Sequence, residues 1–173
     1  MRRVVTAHDA QGRSYILLDG APGKVVGRHG RGMAELWNSA GPRLATRETV
    51  DRAAGEVLLA PPAGGSRFRY FLVPPERTDI SREEQERIAA ERFAAMGAAD
   101  ARADTTRHPG MHQTKTLDYI VLLSGRVTLL LDEGEVELEP FDVVVQQGTN
   151  HAWVNKGPES ALLAGVLIDV EID

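Results

Sequence analysis

The chain has 173 residues, 42% of them hydrophobic, and no cysteine. That length can bury one proper core, and the missing thiols exclude disulfides, zinc–thiolate sites, iron–sulfur clusters and thiol nucleophiles, so any catalysis must use histidine, carboxylates, hydroxyls or a metal. The net charge of −5 is uneven: residues 1–80 carry 12 Lys or Arg against 8 Asp or Glu, and residues 81–173 carry 8 against 17, so the second half repels polyanions, and the scattered basic residues of the first, with no reading helix, do not point to nucleic acid.

Residues 1–10 hold two arginines with no long apolar run behind them, and no later stretch reaches the ~20 apolar residues that span a bilayer. A cytoplasmic protein without a membrane partner is expected. Short apolar stretches at 15–18, 34–37, 57–60 and 68–73 alternate with Gly and Pro clusters, which predicts a β-rich extension over residues 1–80 that packs on the rest of the chain or on a partner. Within it, the glycine-rich residues 27–32 lack the Gly-Lys-Ser/Thr ending and the strand–loop–helix setting of a phosphate cradle, and they read as a connector carrying an exposed His29.

Residues 81–107 read as a helix and a polar connector. Ser81 is the N-cap, Glu84 completes a capping box, Ala89, Phe93 and Met96 form an apolar stripe suited to the core, and Gly97 ends the helix. From residue 108 onward the chain is strand after strand, with a hairpin signal at Asp132-Glu133-Gly134. Short antiparallel strands without helical crossovers predict a sandwich or barrel.

His112, Thr114 and Asp118 have even spacing and share one strand face, which continues as Ile120 and Leu122. The opposite face carries Leu117, Tyr119, Val121 and Leu123, so this strand needs cover on both sides. A barrel interior supplies one cover, and the N-terminal segment or a second protomer the other; a homodimer is expected. Farther on, His151, Trp153 and Asn155 share a face after Gly148, which suits a tight turn.

Two neutral imidazoles and a carboxylate bind a divalent transition metal and leave positions open for substrate. His112, His151 and Asp118 could form that set. They could equally be hydrogen-bonded polar residues in a barrel mouth, with Thr114 and Asn155 satisfying their neighbours. Trp153, facing inward, would wall a pocket for a planar or aromatic molecule; facing outward, it is core or interface.

The run from His112 to Asn155, about a third of the chain, resembles the two motifs of the cupin superfamily. The first motif reads His, one residue, His, three or four residues, Glu, six residues, Gly, and here His112, Thr114, Asp118 and Gly125 stand in those places. The second reads Pro, one residue, Gly, two residues, His, three residues, Asn, and Gln146, Gly148, His151 and Asn155 match its register. The resemblance implies an all-β fold with one helix, a cupin-type antiparallel β-barrel or jelly roll over residues 108–173. It also implies metal ligation by His112 and His151, with Asp118 as a third ligand if the backbone lets it reach.

Two positions depart from the pattern. Thr114 replaces a ligand histidine and would orient water or substrate instead, and Asp118 is shorter than the usual Glu; His108, four residues before His112, is a candidate replacement or an exposed loop residue. The implied function is that of a metal-dependent enzyme, a lyase, isomerase or dioxygenase using Fe, Mn, Ni, Cu or Zn, in which Asp118 is the general base if it is not a ligand, and Thr114, Trp153 and Asn155 contact a small organic molecule. The alternative is a non-catalytic protein that binds a small molecule in a degenerate site. The substrate is not legible from the sequence.

Overall fold

The computed structural model describes residues 1–28, 31–41, 43 and 46–172; His29 lies outside them. Five strands come first: β1 (Arg3–His8), β2 (Ser14–Gly20), β3 (Lys24–Arg28), β4 (Arg31–Ser39) and β5 (Ser66–Val73). Helix α1 (Arg82–Ala95) and a short 3₁₀ turn (Ala99–Ala101) follow. Strands β6 (Thr116–Ser124), β7 (Val127–Leu131), β8 (Glu135–Leu138), β9 (Val143–Gln147), β10 (His151–Val154) and β11 (Ala161–Asp169) complete the chain.

Every strand pairing among the described residues is antiparallel. A six-stranded sheet runs β3-β4-β5-β11-β6-β9, a three-stranded sheet runs β10-β7-β8, and β1-β2 is a separate hairpin. The two larger sheets enclose Ile120, Leu122, Val127, Leu129, Ala161 and Leu163, as expected of a jelly roll whose strands alternate inward apolar with outward residues. Strands from before the helix belong to the larger sheet itself, since β5 lies between β4 and β11. The Asp132-Glu133-Gly134 turn joins β7 to β8 with Gly134 at φ 82°, a left-handed conformation that favours glycine.

Helix α1 begins where predicted, with Ser81 Oγ accepting from the Glu84 N–H at 3.2 Å. The capping box is half made, because the Glu84 carboxylate turns to Arg87, at 2.6 and 2.9 Å. Gly97, at φ 64°, closes the helix, and the Gly97 and Ala98 N–H groups donate to the Ala94 and Phe93 carbonyls. Ala89 and Phe93 are buried.

Residues 57–60, expected to be a strand, are not one. Their backbone is satisfied by other means: the Leu58 carbonyl accepts from Arg69, the Ala60 carbonyl accepts from Arg67, and the Leu59 N–H donates to the Met96 carbonyl. A short apolar run marks a strand only where a ladder partner is free to pair. Among the described residues no helix is long and apolar enough to cross a membrane.

Candidate metal and small-molecule site in the barrel mouth

His112 and His151 face each other across an isolated antiparallel bridge, each backbone N–H donating to the other's carbonyl at 2.9 Å. Residues opposed in such a pair project to the same side, and the two imidazole centroids stand 4.3 Å apart, tilted by 46°. Each Nδ1 lies 2.9 Å from a backbone carbonyl, Gly110 for His112 and Thr149 for His151. A carbonyl only accepts, so each Nδ1 carries the proton and each Nε2 keeps a lone pair. The turn around them is braced in turn. Gln146, in the place of the motif's proline, donates to the Thr149 carbonyl, and the Gly110 N–H donates to His108 Nδ1 at 2.9 Å.

Burial pushes His112 down to about 3, with the neighbouring His151 adding to the effect, and burial also lowers His151. Both rings are therefore neutral bases at neutral pH.

Asp118 is nearly fully buried and points into the same cavity. Burial pushes its carboxyl up to about 6, against the Thr116 hydroxyl and the Arg69 charge, which lower it. Thr114 Oγ1 is hydrogen bonded to Thr116 Oγ1 at 2.7 Å, so the sequence Thr114–Thr116–Asp118 forms a polar row along one face of β6 and its approach. The structure brings His112 and His151 together and leaves Asp118 apart: among the described residues no three of His, Asp and Glu gather as a metal-holding group. His108 is committed elsewhere, its Nε2 lying 3.0 Å from Glu76 Oε1.

Trp153 faces inward. It stacks edge-on to His151 at 5.6 Å and packs beside Phe71 at 6.3 Å, while Phe93 of α1 lies 4.7 Å from His112. Asn155 lines the cavity at 2% exposure, but its polar atoms serve the backbone, donating to the Val73 and Glu159 carbonyls and accepting from the Gly157 N–H. The cavity has a volume of about 970 Å³, enough for a small organic molecule.

Sequence reasoning missed a buried charged cluster that reaches the cavity through Arg69. Arg67 and Arg69 of β5 and Glu35 of β4 are buried, with Arg69 Nη2 2.9 Å and Arg67 Nη1 3.3 Å from the Glu35 carboxylate. The signal was present in residues 66–73, where two arginines alternate with Phe68, Tyr70 and Leu72. A strand that is apolar on its outward face and cationic on its inward face needs a buried acid.

The opposed shifts predict a pH dependence. Depressed histidines give stability that is present above an unfolded pKa of about 6.5 and lost as pH falls toward about 3. Asp118, raised from 3.8 to about 6, acts in the other direction: its contribution is present below 3.8 and lost as pH rises through 6. Asp118→Asn removes that opposing slope, so its urea midpoint should fall more steeply than wild type between pH 6 and pH 4. Parallel profiles would contradict these assignments.

No family model matches the chain. Phomopsin biosynthesis cluster protein C' of Diaporthe leptostromiformis is 29% identical over 162 residues, which cover 89% of this chain and 70% of that protein. A cupin-domain-containing oxidoreductase, fogC, of Aspergillus ruber is 39% identical over 46 residues, covering 26% of this chain and 23% of its own. Among solved structures, a cupin 2 conserved barrel domain protein from Salinispora arenicola CNS-205 aligns at a TM-score of 0.45 and 14% identity, covering 85% of this chain and 82% of that one.

Proposed function

From the premise that this chain has the cupin fold, we propose that it is a metal-dependent enzyme acting on a small, planar organic molecule held in the barrel mouth. One observation carries the reading: two neutral imidazoles, side by side, each with its Nδ1–H fixed on a carbonyl and its Nε2 lone pair free. That is the tautomer a metal ion requires, held by outer hydrogen bonds that orient the rings. The likeness to a protein named as a cupin-domain-containing oxidoreductase supports an enzymatic role.

His112 and His151 would hold the ion, and the donor set suits Fe, Mn, Ni, Cu or Zn. Bound there, such an ion supplies Lewis acidity or, if redox-capable, oxygen activation. The chain's own groups do the remainder. Trp153 and Phe71 present flat apolar walls that orient a planar substrate, and Phe93 and Met96 of the α1 segment cover the mouth and exclude water. Asp118, which lines the cavity, would take or return a proton, and burial raises its carboxyl to about 6.

The second reading, a binding protein without chemistry, draws on the separation of Asp118 from the histidine pair. Elemental analysis separates the two. Protein purified without chelator or metal-binding tag should carry near-stoichiometric transition metal; metal-free protein that cannot be loaded favours the binding reading.

The same reading includes a homodimer. The outer face of β5, β6 and β9 in the six-stranded sheet exposes apolar side chains, with Phe68 39%, Tyr119 46%, Val143 62% and Val145 53% exposed. A continuous face of this kind calls for a partner, and a second copy offers the same apolar surface in return. Light scattering at micromolar concentration should give twice the chain mass, and a Val143→Asp/Val145→Asp variant should give the monomer mass. A wild-type monomer would overturn the assignment.

A further inference from the structure

A turn over residues 108–111 leads the chain into the barrel mouth, closed by the Met111 N–H donating to the His108 carbonyl at 3.0 Å. Two peptide planes meet within it at Gly110, which has the widest conformational freedom of any residue type. Each plane is held at both ends. Between Pro109 and Gly110, the carbonyl accepts from Arg102 Nη2 and the N–H donates to His108 Nδ1, both at 2.9 Å. Between Gly110 and Met111, the carbonyl accepts from His112 Nδ1 at 2.9 Å, and the N–H is the one that closes the turn. His108 thus supplies an acceptor to each plane, one from its ring and one from its backbone.

The Gly110 N–H can only donate, so the His108 ring carries its proton on Nε2 and gives it to Glu76 Oε1 at 3.0 Å. Both ring nitrogens are then in use, and neither is left for an ion or a substrate. Glu76 is anchored in its turn, its N–H donating to the Asn155 carbonyl at 2.8 Å. The ring also packs closely on the turn, since a Cβ at Gly110 would stand 3.0 Å from His108 Nδ1. Gly110 does not take the positive φ of a type II turn. In type I turns the first position favours Asp or Asn, whose side-chain oxygen accepts from the N–H two residues on. The His108 Nδ1 stands in that oxygen's place.

We propose that Glu76 and His108 are positioning residues for His112. Glu76 keeps the His108 proton on Nε2, His108 Nδ1 holds the first plane, and the Gly110 carbonyl, fixed by the second, takes the His112 Nδ1 proton. The His112 Nε2 lone pair is thereby kept for the cavity. His151 is oriented separately, through the Thr149 carbonyl that Gln146 braces at 3.2 Å. This deepens the proposed metal site and rests on His112 being a ligand there, but the tautomer that it assigns is read without metal.

The test is long-range ¹H–¹⁵N NMR of the full chain, metal-free, at pH 7.5, with metal affinity measured on the same samples by chelator competition. In the wild type, His112 and His151 should each show a protonated Nδ1 and a bare Nε2. His108→Ala should turn His112 into a mixture of tautomers while His151 keeps its own, and that unchanged ring reports within the same sample that the fold is intact. Glu76→Leu should mix the His112 tautomers to a smaller degree. His108→Asn restores an acceptor for the Gly110 N–H and should return His112 to the wild-type tautomer. Metal affinity should fall about tenfold or more in His108→Ala, as on loss of an outer hydrogen-bond partner, and recover in His108→Asn. A His112 ring that ignores His108→Ala or Glu76→Leu, a His108→Asn variant that behaves as His108→Ala does, or metal affinity unchanged in His108→Ala overturns the proposal. If the wild type binds no metal, the tautomers alone decide, so the positioning role and the metal reading fail separately.

Discussion

Exchange of either mouth histidine, His112→Ala or His151→Ala, should weaken metal retention by at least about a hundredfold. Loss of an outer hydrogen-bond partner alone costs 10–100-fold in comparable sites, and each variant removes one of the two nitrogens proposed as ligands. The Nδ1 bonds to the Gly110 and Thr149 carbonyls are each made by one ring only, so neither histidine can stand in for the other. Folding should survive, because the backbone bridge between residues 112 and 151 uses main-chain atoms. Competition against a chelator of known affinity measures the change, and circular dichroism confirms the fold. Retention equal to wild type in both variants would show that metal is held elsewhere.

The second large effect concerns stability. Glu35 is fully buried between two guanidiniums, and burial outweighs both of them, so that its carboxyl sits above the usual range. The Arg69 contact is an ion pair more than a hydrogen bond, since Glu35 Oε1 has no well-aligned donor among the described residues. Glu35→Leu leaves Arg67 and Arg69 buried without their shared acid, and breaking a buried pair from one side costs about 3–5 kcal/mol. That is a large part of the ~5–15 kcal/mol that holds an ordinary domain together. Adding Arg69→Met should recover part of the loss, because one of the stranded charges is removed with its partner. Guanidinium melts read both variants; a loss under about 1 kcal/mol for Glu35→Leu would mean that water reaches the cluster and screens the charges.

How far the sequence foretold this molecule depended on whether the signal was local. Ser81 and Gly97 bound the helix through contacts within a few residues, and the Asp132-Glu133-Gly134 turn needs only its own glycine, so all three were legible. That His112 and His151 each open an inward face was legible from even spacing, and the cupin resemblance brought the two together. What escaped depended on distant partners. Residues 57–60 form a short apolar run as a buried strand would, yet Arg67 and Arg69 occupy two of their carbonyls. Asp118 shares its strand face with Thr114 as predicted, but how far along that face it lies from the bridge between His112 and His151 is set by the way the sheets close. Glu35 was one acid among many until β4 and β5 paired in register and set it opposite Arg69.

X-ray absorption on the metal-loaded protein tests most directly whether two imidazoles hold a metal ion in the barrel mouth. The spectrum should show the outer-shell scattering of two histidine rings with no sulfur neighbour, the remaining donors being light atoms. That signature should vanish in a His112→Ala/His151→Ala double variant exposed to the same metal. A spectrum without imidazole scattering, or one that the double variant reproduces, would contradict the claim.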